Sequence, residues 1–114
     1  MFLFLQNRFK KASKLNSTPT LEEKIKILTQ EFLALDKNTK EAKEIYKKIL
    51  DNYKMLLYLR EDIYTKEYIE VLILGANSFK DKGLLKKAQE FLDFSYILNK
   101  NELNQKIKEI QKAI

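Results

Sequence analysis

The sequence predicts an all-α domain, and three observations support this fold class. The chain has 114 residues, which suits one domain. It is 45% hydrophobic and 33% charged, as in globular proteins, but contains only two Gly and one Pro, too few for the turns of a many-stranded sheet. Apolar residues also recur at spacings of three and four, which is the period of a helix with one buried face. We therefore expect about five antiparallel helices and an N-terminal amphipathic segment.

The first helix is predicted over residues 21–35. Thr20 and Glu23 have the spacing of a capping box, and Pro19 prevents the helix from extending backward. The apolar face consists of Leu21, Ile25, Leu28, Phe32 and Leu35.

A second helix is predicted to run to about residue 58, with Asn38 as its cap and Glu41 three residues later. A break is expected over residues 60–64, although no Gly or Pro marks it. Thr65 then begins a third helix over residues 66–81. The apolar face of the second helix consists of Ala42, Ile45, Tyr46, Ile49, Tyr53 and Leu56.

The two remaining helices follow the second glycine. Gly83 is predicted to end the third helix in a left-handed conformation, and a fourth helix then continues to about residue 98. Asn99 and Glu102 form another cap-like pair. The fifth helix has a single apolar face of Leu103, Ile107, Ile110 and Ile114.

Residues 72–98 resemble a tetratricopeptide repeat, a pair of antiparallel helices. Small and large residues follow the order of that family at steps of three, four, five, four and three. Three positions depart from its pattern: Leu72 replaces a Trp, Gly75 a Leu and Lys100 a Pro. An unrelated five-helix bundle is the main structural alternative. The residues that carry the resemblance are Ala76, Phe79, Gly83, Ala88, Leu92 and Ser95.

The resemblance implies a groove that holds a partner's peptide, lined by one face of the third helix. Asn77 is expected to hydrogen-bond the backbone or terminal carboxylate of the peptide, and Lys80 to add a charge-assisted contact. Asn is also common at that position without any binding role. The complete set of expected partner-binding residues is Glu70, Ile73, Asn77, Lys80 and Asp81.

A group of tyrosines surrounds the predicted junction of the second and third helices. Tyrosine can anchor an interface, because it combines a large ring with a polar tip. It can equally fill a wide gap between helices. Both interpretations stay open for Tyr53, Tyr58, Tyr64 and Tyr68.

Residues 1–19 carry most of the formal net charge of +6, because Arg8, Lys10, Lys11 and Lys14 precede the first acidic residue. The charges follow the short apolar run, which is not the arrangement of a secretory signal. If residues 1–15 are helical, Phe2, Leu5 and Phe9 share one face. We expect this face to pack on the chain's own domain, residues 20–114; a protein partner and an anionic membrane are the alternatives.

The composition provides little for catalysis. The chain has no His and no Cys, which excludes imidazole bases, thiol nucleophiles and the usual zinc ligands, and no Gly-rich phosphate loop exists. We therefore expect no enzyme, no cofactor and a reducing, cytoplasmic location; a position at a membrane surface or in a larger assembly stays open. The predicted function is an adaptor, chaperone or assembly scaffold that binds another protein or peptide segment. A small basic bundle that binds nucleic acid, or peripheral membrane association through the N-terminal segment, is the alternative.

Overall fold

The computed structural model describes residues 18–114, which form four α-helices and no strand. The predicted all-α class is confirmed. The predicted N-terminal helix and its contact residues lie outside the described residues. The helices are α1 (Thr18–Ala34), α2 (Lys40–Phe79), α3 (Lys82–Asp93) and α4 (Asn101–Ala113).

Helix α2 folds back on itself at Arg60, whose backbone is non-helical (φ −148°, ψ 72°). The hydroxyl of Tyr46 donates a hydrogen bond of 2.7 Å to the carbonyl oxygen of Val71. A straight helix would separate these two residues by roughly 38 Å, at 1.5 Å per residue. Residues 40–59 and 61–79 are therefore two antiparallel arms of α2.

The reversal begins at the first residue of the predicted break, but the predicted helix start at Thr65 is wrong. Thr65 lies inside the second arm, and its hydroxyl donates to the carbonyl of Glu61 at 2.7 Å. Such a bond is formed within a continuous helix, because it joins residues four apart. One non-helical residue is thus enough to reverse the chain.

Two predicted helix starts are shifted along the chain. Helix α2 is capped by Thr39, whose hydroxyl accepts a hydrogen bond of 3.2 Å from the amide of Ala42, one residue after the predicted Asn38. Thr20 does not cap α1, since the chain is already helical at Thr18. Pro19 lies in this first turn, where no intrahelical partner for its nitrogen is required.

The turn between α2 and α3 also differs from the prediction. Lys80, not Gly83, takes the left-handed conformation (φ 53°) that ends α2. Asp81 then caps α3, because its carboxylate accepts hydrogen bonds from the amides of Gly83 at 2.8 Å and Leu84 at 3.2 Å. Gly83 lies in the first turn of α3.

Helix α3 ends at Asp93, five residues before the predicted end. Ser95, Tyr96 and Leu98 therefore belong to a loop and not to a helix face. The predicted cap of α4 is confirmed in part. Lys100 holds the N-cap position without a capping bond from its own side chain, but the side-chain oxygen of Asn99 accepts a hydrogen bond of 3.1 Å from the amide of Asn101.

Three aromatic rings join α1 to both arms of α2. The ring centroid of Phe32 lies 5.5 Å from that of Tyr46 and 5.8 Å from that of Phe79, and the last two are 5.4 Å apart. Ala76 and Ala88, the two small positions of the repeat-like pattern, have no exposed surface. Small side chains at such positions allow close approach of neighbouring helices.

The four tyrosines near the reversal are not all in the same environment, so some fill the core and others could contact a partner. Tyr53, Tyr64 and Tyr68 are buried, and the rings of Tyr53 and Tyr68 pair across the arms of α2 at 6.3 Å. Tyr58 is 86% exposed. Three of these four tyrosines therefore fill the core, and one is available for contact with a partner.

Burial and the nearby carboxylate of Glu67 raise the pKa of Tyr53 to about 12. The phenol of an unfolded chain ionises near pH ~10. Folding therefore favours the neutral phenol. Its contribution to stability is complete below pH ~10 and is lost as the pH rises toward the folded pKa.

We predict that the urea midpoint falls between pH 10 and 12, and that this fall is shallower in Tyr53→Phe because Phe has no proton to lose. Urea unfolding followed by circular dichroism measures both. Tyr58→Phe is the control, since its hydroxyl is exposed. Identical slopes for Tyr53→Phe and the parent would contradict the assignment.

Candidate functional site

The end of the domain where α2 reverses brings three segments together. The start of α1 lies there, because the hydroxyl of Tyr64 donates to the carboxylate of Glu22. The α3–α4 loop lies there as well, since Tyr96 and Ile97 line one groove with Leu59 of the first arm. Residues distant in sequence therefore form one surface.

The loop that follows α3 is braced by its own hydrogen bonds. The hydroxyl of Ser95 donates to the carbonyl of Leu92 at 2.8 Å, and the ammonium of Lys100 donates to the carbonyl of Asp93 at 3.2 Å. Ser95 and Ile97 are half-buried, and Ile97 packs against the core. The residues that alternate with them, Phe94, Tyr96 and Leu98, are exposed.

The exposed side chains are large and apolar. Phe94 is 87% exposed, Tyr96 is 96% exposed and Leu98 is completely exposed, and Tyr58 projects from the neighbouring arm. Four such side chains present on the order of 600 Å² of mainly apolar surface. Large apolar side chains exposed near one another often mark an interaction site. We call Tyr58, Phe94 and Tyr96 the aromatic end.

Two adjoining grooves cross the aromatic end. One has a volume of about 370 Å³ and lies between Tyr58 and Phe94; the other, of about 610 Å³, runs beside Tyr96 and Leu59. Glu61, Thr65 and Ser95 line both grooves. The grooves are therefore neighbouring parts of one surface, and each is lined by both apolar and polar side chains.

An exposed ion pair marks the reversal. The guanidinium of Arg60 donates to the carboxylate of Asp62 through two bonds, of 3.2 and 3.1 Å. These hydrogen bonds lower the pKa of the Asp62 carboxyl. Because both groups are open to water, the pair contributes little to stability. It adds a polar rim beside the apolar side chains.

The structure separates the residues predicted to bind a partner. Ile73 is buried in the core, Glu70 is half-buried and Asn77 is exposed. Lys80 and Asp81 are not on the helix face, since they form the turn between α2 and α3. The five residues therefore do not share one exposed helix face.

Sequence reasoning missed Phe94 and the loop as a site, because it extended α3 through residue 98. The signal was present in the alternation of Phe94, Tyr96 and Leu98. A spacing of two places these residues on the same side of an extended chain but on different sides of a helix. The start of that alternation coincides with the observed helix end.

Within residues 18–114, no group of three or more potential ligands could hold a metal ion. In the same range, no helix combines the length and the apolar character needed to cross a bilayer. The raised pKa values of Tyr46 and Tyr68 have burial as their main cause, which accounts for them without a catalytic role.

Comparison with known proteins adds no relative, since neither the family models, nor the curated proteins, nor the solved structures gave a match to this chain.

Proposed function

We propose that this chain is a non-catalytic protein-binding module, an adaptor, chaperone or assembly scaffold, and that it binds its partner at the aromatic end. The observation that carries the proposal is the exposure of Phe94 and Tyr96 on a loop that hydrogen bonds hold in place. Keeping large apolar side chains in water favours association. Tyrosine and phenylalanine are also enriched in the centres of interfaces.

The shape of the surface defines the kind of partner. Two adjoining grooves on either side of Ser95 fit a segment that inserts one apolar side chain into each. Glu61 and Thr65 between them supply polar groups that hydrogen-bond the backbone of such a segment. The loop is ordered before binding, so little conformational entropy is lost on association.

We further propose that the helices form tetratricopeptide-like hairpins. The antiparallel arms of α2 and the complete burial of Ala76 and Ala88 support this arrangement. The proposed binding surface differs from the groove that the resemblance implies, because it lies at the end of the hairpin and not along one helix face.

The proposal is tested with Phe94→Ser combined with Tyr96→Ser. Because both side chains are exposed, the double variant should fold with unchanged stability. We expect it to lose the proteins that the parent captures from a lysate of the source cell. With the main captured protein purified, the dissociation constant should rise roughly 30-fold or more, as for interface anchors worth about 2 kcal/mol.

The matched control is Ile27→Ser combined with Leu33→Ser. These residues of α1 are also exposed, 48% and 60%, but they lie outside the aromatic end. The control should keep the partner. Equal capture by the parent and by the Phe94 and Tyr96 variant would show that the aromatic end is not the binding surface, and capture of no protein by the parent would end the proposal.

A further inference from the structure

A third groove lies where the first arm of α2 meets the α2–α3 turn, and lysines surround it. Lys43 and Lys47 stand one helical turn apart on the first arm, and Lys80 and Lys82 flank Asp81 in the turn. All four ammonium groups belong to exposed residues on a groove of about 650 Å³. We call this the lysine groove.

The lysine groove keeps an excess of positive charge, because its lining has four lysines and one acidic residue, Asp81. Ion pairs in residues 18–114 join Lys40 to Glu44, Arg60 to Asp62 and Lys106 to Glu102, and so involve none of these four lysines. Asp81 is the acidic residue of the lining, but its carboxylate accepts hydrogen bonds from the first amides of α3. Converging like charges with no internal partner favour an anionic ligand.

The backbone at Lys80 gives a further reason. Lys80 has a positive φ of 53°, a backbone conformation that costs a residue with a side chain more than it costs glycine. A glycine would end α2 without that cost. The chain instead places an ammonium group at this corner, and backbone strain of this kind is a recognised feature of binding sites.

The floor of the groove is apolar. Leu50, Phe79 and Leu84 are half-buried and line it together with Tyr46. We propose that the lysine groove binds an acidic protein segment, whose carboxylates contact the lysines while one apolar side chain rests on this floor. It is a second site beyond the proposed function, since it lies at the opposite end of the α2 arms from Arg60.

The same geometry disfavours a nucleic acid. Single strands bind by stacking bases on exposed aromatic faces between basic residues. Tyr46 is buried, and both it and Phe79 pack edge to face within the aromatic cluster of the core.

Binding is measured with the full chain and a fluorescein-labelled peptide of Asp and Glu with one central Phe. Lys47→Gln combined with Lys82→Gln should weaken binding about tenfold through loss of two charge-assisted contacts. The matched control is Lys24→Gln combined with Lys26→Gln, exposed on α1, which removes the same net charge and should change the affinity less than about twofold.

Three results of this binding experiment would contradict the proposed site. Equal weakening by the groove variant and the control would mean that net charge alone attracts the peptide. Equal affinity for a peptide with Ser in place of the central Phe would mean that the apolar floor plays no part. Tighter binding of a single-stranded oligonucleotide, lost in the groove variant, would replace the acidic protein segment with a nucleic acid. Each result overturns the proposal.

Lys80→Gly separates binding from folding. The variant should have a higher urea midpoint, because glycine adopts a positive φ freely. It should also bind the labelled peptide more weakly than the parent does. A gain in stability with unchanged affinity would exclude Lys80 from the site. The Phe94 and Tyr96 variant should bind this peptide like the parent, so failure at one end of the domain does not affect the conclusion about the other.

Discussion

Replacing Gly75 with alanine is expected to destabilise the domain by about 3 kcal/mol, because the added methyl group overpacks a closed interior. A Cβ at this position would overlap the ring of Tyr46. Elsewhere in a helix the same change is favourable by about 1 kcal/mol, since alanine forms helix better than glycine. A loss of stability in Gly75→Ala would therefore indicate that the two arms of α2 are in close contact at this position, and a gain would indicate that they are not.

The ring of Tyr46 cannot move aside at low cost. Its hydroxyl is held by the carbonyl of Val71, and its faces and edges meet Phe32 and Phe79. Shifting the ring would break that hydrogen bond within a buried region. Partial relaxation of the second arm is the remaining route, and it would disturb the packing of Ala76 against its surroundings.

Urea unfolding of Gly75→Ala and Gly83→Ala measures the effect and its control. A Cβ at Gly83 would lie 3.1 Å from the carboxylate oxygen of Asp81 that caps α3, a mild crowding that a shift of a few tenths of an ångström relieves, so this change should alter stability by less than about 1 kcal/mol. In the background of Tyr46→Leu, where the ring is absent, Gly75→Ala should cost little. A parent-like midpoint for the single Gly75 variant would contradict the close approach of the arms.

Apolar periodicity was enough to predict most of the helical segments, because Leu21, Ile25 and Phe32 repeat on one face and are buried in the structure. Helix boundaries were less predictable. The preference of glycine for positive φ predicts the left-handed residue at Gly83. However, Asp81 accepts hydrogen bonds from the first amides of α3, so α2 has to end before it, at Lys80. Capping of one helix thus determines the end of the other.

The site was harder to predict than the fold. The reversal at Arg60 has no glycine or proline, and contacts such as the Tyr46–Val71 hydrogen bond hold the two arms together across it. Only this reversal places Tyr58 beside Phe94. Likewise, Lys43 and Lys47 share a helix face by spacing alone, whereas their approach to Lys82 depends on the tertiary structure.

Phe32→Ala is expected to have the largest effect of any substitution proposed for this chain, a loss of about 3 to 5 kcal/mol. Phe32 has no exposed surface and touches both arms of α2 through Tyr46 and Phe79, so its removal opens a cavity where three helical segments meet. For a domain with a total stability of about 5 to 15 kcal/mol, this is a large share.

Leu33→Ala provides the neighbouring control. Leu33 is 60% exposed, so the stability of this variant should stay within about 0.5 kcal/mol of the parent.

Hydrogen exchange shows which helices the loss of Phe32 affects. The amides of α1 should lose protection in Phe32→Ala, because Phe32 joins α1 to both arms at this end. Protection of the hairpin between Tyr53 and Tyr68 should decrease less, since those rings pack across the arms without Phe32. If the two substitutions shifted the urea midpoint equally, the three aromatic rings would not be the junction of the bundle, and α1 would have to be held by its contacts at the reversal end instead.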